Sequence, residues 1–139
     1  MNAAVETRAF GVSSPEIGAI DTWVERVGLE WGESERTVFR ARLCIAELAA
    51  NVLEHGVSKS GVARIVVALR RLGDGIGIEF RDSCEPFDPT RRIVVAGTAS
   101  IESASEGGRG LMLLQAYAKE LSYCNDESGN RVTLKINSN

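Results

Sequence analysis

The sequence predicts a two-layer α+β sandwich, a mostly antiparallel mixed sheet with helices on one face. Three observations predict it. Between Ser34 and His55 the apolar residues recur at helical spacing. Residues 62–69 and 76–80 alternate apolar and polar side chains on either side of the turn Leu72-Gly73-Asp74-Gly75, the pattern of a β-hairpin. A last alternating run, Val132, Leu134 and Ile136, follows the turn Ser128-Gly129-Asn130.

Taken in order, residues 5–12 read as a first strand of weak alternation. Ser14 as N-cap with Pro15 at the first helical position opens a helix. Ile17, Ile20, Val24 and Val27 form its apolar stripe, and Gly28 reads as its stop. Trp23 and Trp31 are packing residues at its edges. Ser34 caps a second, longer helix that runs to His55 and stops at Gly56. At about 100° per residue, Val38, Ala41, Ile45, Leu48, Ala49 and Val52 gather on the side that packs on the sheet. Arg36, Arg40, Glu47, Asn51 and Glu54 gather on the other, with His55 at its margin. After the hairpin, residues 90–106 are long for a connection and turn rich in Ser, Thr, Ala and Gly, which suits a lid or a disordered segment. Residues 110–121 read as a short helix with Leu111, Leu114, Ala118 and Leu121 on one stripe. No internal repeat or linker divides the chain, so residues 1–139 are expected to form a single domain.

Composition narrows the function. The 139 residues are 44% hydrophobic and 25% charged, with a net charge of −3. That balance argues against a nucleic-acid binder held by phosphate contacts. No run of about 18 apolar residues suggests a membrane span. The opening MNAAVETRAF has no charged segment leading into an apolar core, so a cytoplasmic protein is expected. Cys44, Cys84 and Cys124 are odd in number and widely spaced, which argues against a disulfide framework or a CxxC metal site. A single histidine, His55, excludes a multi-histidine metal centre.

Three clusters carry chemistry. In Glu47-Leu-Ala-Ala-Asn51-Val-Leu-Glu-His55, positions 47 and 51 stand one helical step apart, about 6 Å along the axis. A carboxylate accepts a proton from an attacking hydroxyl. A carboxamide oxygen one turn on is a neutral, hard ligand for Mg²⁺, which prefers few protein ligands plus phosphate oxygens and water. In Asp82-Ser-Cys-Glu-Pro-Phe-Asp88-Pro, an aspartate at a strand end offers an acceptor to an adenine amino group, and two prolines stiffen the turn. In Glu106-Gly107-Gly108-Arg109-Gly110-Leu111, glycines let backbone N–H groups approach phosphate, the next helix presents its N-terminus, and Arg109 adds charge. Taken singly, each also fits a solvated helix face, an ordinary turn or a hinge.

Their order resembles the three sequence boxes of the GHKL (Bergerat-fold) ATPases. Within them, ExxxNxxxHG and the Pro-Phe-Asp-Pro tail are similar to the anti-sigma-factor serine/threonine kinases. The resemblance implies a histidine-kinase-like ATPase fold, with Glu47 as general base and Asn51 as Mg²⁺ ligand. It also implies Asp82 as the adenine-binding aspartate, further nucleotide contacts at Cys84, Phe87, Gly107, Gly108, Arg109, Gly110 and Leu111, and a mobile ATP lid over about 90–107. ATP and Mg²⁺ are the implied cofactors. The implied substrate is a STAS-domain anti-anti-sigma protein, with a sigma factor or other regulator as competing partner, and a homodimer is implied too. His55, at the end of the first box, is assigned a structural or supporting role beside the site rather than chemistry. One departure bears on ATP: the family carries glycine where Cys84 stands, and a side chain there would crowd the adenine or alter the turn. The alternative is a partner-switching module that sequesters a regulator with weak or no ATP binding. A histidine kinase would need a separate helical segment bearing its phosphoacceptor, for which the chain has no room.

Overall fold

The computed structural model describes residues 4–58, 61–88, 112 and 114–138. Two helices lie on one face of a five-stranded sheet. The elements are β1 (Val5–Gly11), α1 (Ser14–Glu30), α2 (Glu35–His55), β2 (Arg64–Leu72), β3 (Gly75–Asp82), β4 (Lys119–Asp126) and β5 (Gly129–Asn137). Residues 114–117 are also helical. The strand order is β1-β2-β3-β5-β4. Every pairing among the described strands is antiparallel, where a partly mixed sheet was expected. The α+β sandwich itself is as the sequence predicts.

Register explains the layering. Val67 pairs with Phe80 and Phe80 with Val132; Leu69 pairs with Ile78 and Ile78 with Leu134. Alternation therefore sends these six side chains to one face, and all are buried there beneath Val24, Val27, Ala41, Ile45 and Leu48 of the helices. Each large apolar side chain so buried contributes roughly 1.5–3 kcal/mol. The opposite face carries Ala68, Gly77, Thr133 and an ion-pair cluster in which Glu79 meets Arg81 at 2.9 Å and Arg131 at 3.8 Å.

Three local expectations are corrected. The N-cap of α1 is Ser13, whose side chain accepts from the Glu16 amide, so the helix starts one residue earlier than Ser14-Pro15 suggests. Gly28 does not stop that helix, which runs to Glu30. A Cβ at Gly28 would lie 2.8 Å from Val38 Cγ2, so this glycine sets the close approach of α1 to α2. The helix read over 110–121 ends before Lys119, where β4 begins. Leu121 and Tyr123 are partly buried against the core at a spacing of two, and β4 pairs along β5. Sheet pairing thus takes a segment whose leucines fit either period.

The longer helix forms as read. Ser34 caps it by accepting from Thr37 N, and it ends at Gly56. Arg42 joins the two helices, bonding Asp21 through Nε and Nη2 and Glu25 through Nη1 at 2.7–3.0 Å.

Candidate functional site

Glu47 sits on α2, half-buried, and its carboxylate has no hydrogen-bond partner among the described residues. Burial pushes its pKa up to about 7, and the charge of Glu54 adds to the effect. A carboxyl so poised exchanges a proton near neutral pH, as a general base must.

One turn on, Asn51 is only 4% exposed, although the helical pattern put it on the solvent side. Its Nδ2 is buried without a partner. A buried amide donor left open is costly unless an acceptor, such as a phosphate oxygen, completes it. Its neutral oxygen suits a hard cation that takes its other ligands from phosphate and water. Among the described residues, no group of three or more His, Cys, Asp or Glu forms a conventional metal site.

Asp82 ends β3, and its Oδ1 accepts from Cys84 N at 3.0 Å, an Asx turn that starts the 82–88 segment. Several contacts tie this segment to the end of α2. Glu85 N donates to the Val57 carbonyl at 2.8 Å, and Ser58 bridges Cys84. The rings of His55 and Phe87 stack with centroids 5.7 Å apart and planes inclined by 18°. His55 thus packs on Phe87 where the end of α2 meets the 82–88 segment.

Cys84 is 1% exposed. Its sulfur lies 2.9 Å from where a Cβ on Gly56 would be, so the thiol fills space that the helix-ending glycine leaves. Burial first, and the charge of Asp82 second, push its pKa up to about 11, which keeps it a neutral thiol.

Gly107, Gly108, Arg109, Gly110, Leu111 and the segment 90–107 lie outside the described residues. The helical residues that follow are placed against α2: Leu114 is buried in the core, and the Arg40 guanidinium lies 5.0 Å over the Tyr117 ring. Arg40 is two turns before Glu47 on the same side of α2, so the third cluster leads into a helix that touches the Glu47 face.

Sequence reading missed Asn130. It is 3% exposed and uses its whole carboxamide. Nδ2 donates to Asp82 Oδ1 at 2.9 Å, to the Glu85 carbonyl at 2.9 Å and to the Cys84 carbonyl at 3.5 Å. Oδ1 accepts from Phe87 N and Asn125 Nδ2, each at 3.2 Å, and from the Tyr123 hydroxyl. In the sequence Asn130 looks like one residue of a turn. Only its register opposite Asp82 in β3 could have marked it.

Known proteins agree with this architecture. The model of the histidine kinase-like ATPase domain matches residues 14–136. The serine/threonine-protein kinase BtrW of Bordetella bronchiseptica is 26% identical over 138 residues, covering 99% of this chain and 97% of that protein. The solved structure of the RsbU and RsbW domains of Rv1364c from Mycobacterium tuberculosis superposes with a TM-score of 0.70 at 16% identity, over 97% of this chain. This chain spans 32% of that longer one, and the likeness is one of fold. With the match running from the start of α1 into β5, the chain belongs to the histidine kinase-like ATPase domain family.

Proposed function

We propose that this domain is a protein serine/threonine kinase of the anti-sigma-factor type. It binds Mg-ATP and phosphorylates a hydroxyl on a STAS-domain partner, within a switch that also involves a sigma factor or another regulator. The observation that carries the reading is Glu47: a half-buried carboxylate, unpartnered among the described residues and with its pKa near 7, one turn from the buried Asn51, whose Nδ2 is unsatisfied. The Bordetella relative, matched along nearly its whole length, is named a serine/threonine kinase, and this supports the same activity here.

Bound Mg-ATP would supply the phosphoryl group and the charge neutralisation that its transfer needs. Asn51 is the residue that would ligate the cation, and Asp82 the one that would accept from the adenine amino group. Cys84, Phe87 and the 107–111 cluster complete the proposed nucleotide contacts. Glu47 orients the acceptor hydroxyl and takes its proton as the oxygen attacks. The thiol of Cys84, set against Gly56, is compatible with a nucleotide beside the 82–88 turn.

The test is phosphate transfer from labelled Mg-ATP to a purified STAS-domain partner. Glu47→Ala is expected to keep nucleotide binding and to lose transfer by about 10²-fold or more. Equal transfer by variant and wild type would remove Glu47 from the mechanism. Wild type that holds the partner yet never phosphorylates it would favour a sequestering module instead.

A further inference from the structure

We propose that Asn130 is the positioning residue that fixes Asp82, and with it the 82–88 turn, for recognition of the nucleotide base. The inference rests on the nucleotide reading above and adds to it the origin of base selectivity. Asp82 Oδ1 takes two donors, Cys84 N at 3.0 Å and Asn130 Nδ2 at 2.9 Å. The Cys84 thiol also hydrogen-bonds to the Asp82 side chain. A carboxylate so held has its plane fixed, and the lone pairs these donors leave over are its acceptors for a ligand. An exocyclic amine at that place donates to it; a keto oxygen there meets lone pair with lone pair. Discrimination between such bases then depends on how firmly the carboxylate is held.

Asparagine is the side chain these contacts require. Its nitrogen reaches Asp82 and the carbonyls of Cys84 and Glu85, while its oxygen takes the Phe87 amide. Tyr123 and Asn125 donate to the same oxygen and so fix which end of the carboxamide faces Asp82. An aspartate would keep the shape but lose both donors, and would set a second negative charge beside the first.

The experiment compares Mg-ATP with Mg-ITP, whose base carries a keto group in place of the amine. Affinities are measured by calorimetry on the full chain for wild type, Asn130→Ala and Asn130→Asp. Hydrogen exchange is followed at the Cys84 amide, which does not touch Asn130 directly. In the folded variants we expect Mg-ATP affinity to fall by about tenfold, the ATP-over-ITP ratio to narrow, and Cys84 N–H protection to drop. If one variant fails to fold, the other carries the test. A loss equal for both nucleotides, with the ratio intact, would make Asn130 a merely structural residue and overturn the proposal. Unchanged Cys84 protection would overturn it as well, whatever the nucleotides do. If wild type binds neither nucleotide while Cys84 protection still falls in the variants, Asn130 stands as the holder of Asp82 and the ATP reading fails.

Discussion

Glu47 is the residue on which the proposed chemistry turns, and its environment gives it a second, separable signature. Its pKa is raised by burial from 4.5 to about 7 in the folded domain. Between those values the folded state holds a proton that the unfolded chain has released, so stability falls as pH rises through this window. Below about pH 4.5 both states are protonated and there is no cost. Glutamine at 47 cannot ionise. Thermal melts of nucleotide-free protein are therefore expected to show Glu47→Gln more stable than wild type at pH 8, with the gap closing by pH 4.5. A gap that stays constant with pH would mean the carboxyl is not desolvated. Residue identity alone could not disclose this: ExxxN spacing marks Glu47 and Asn51 as neighbours on a helix, but the burial that tunes one and closes around the other comes from the packed elements.

At the scale of elements, legibility follows how local the determinants are. The longer helix was readable to its last residue because Ser34, Gly56 and the stripe between them all lie within it. The β2–β3 hairpin was readable for the same reason. β4 was not, because Leu121 continues a helical stripe from Leu114 and Ala118 as easily as it opens a strand pattern with Tyr123, and the choice is made by pairing with β5. Gly28 misled because glycine ends helices and also lets two helices touch. Here its missing Cβ admits Val38, so Gly28→Val should overpack that contact and cost about 1–3 kcal/mol in chemical denaturation. A change below about 0.5 kcal/mol would show that the two helices separate without penalty.

For the whole molecule, the proposed site draws on distant parts of the chain. Glu47 and Asn51 come from α2, Asp82 from the end of β3, and the clasp on Asp82 from β5, 48 residues further on. The family could be read from the order of three motifs, but Asn130 could not, since nothing near it in sequence announces a role. A site assembled this way couples ligand binding to global stability. Mg-ATP at about 100 times its dissociation constant should add about 2.7 kcal/mol, a rise in melting temperature on the order of 10 °C for a domain of this size. Asp82→Asn should abolish that rise. A full shift in the variant would take Asp82 out of the base pocket.

The glycine that ends α2 has one more consequence. Gly56 is the floor on which the sulfur of Cys84 rests, two residues beyond the aspartate proposed to meet the base. A side chain added at 56 would meet the Val52 carbonyl oxygen at 2.5 Å and that sulfur at 2.9 Å, so the helix end and the turn above it would both have to shift. Such a variant would be scored in a genetic screen as a nucleotide-binding lesion, although position 56 itself caps a helix and supplies no group to the base.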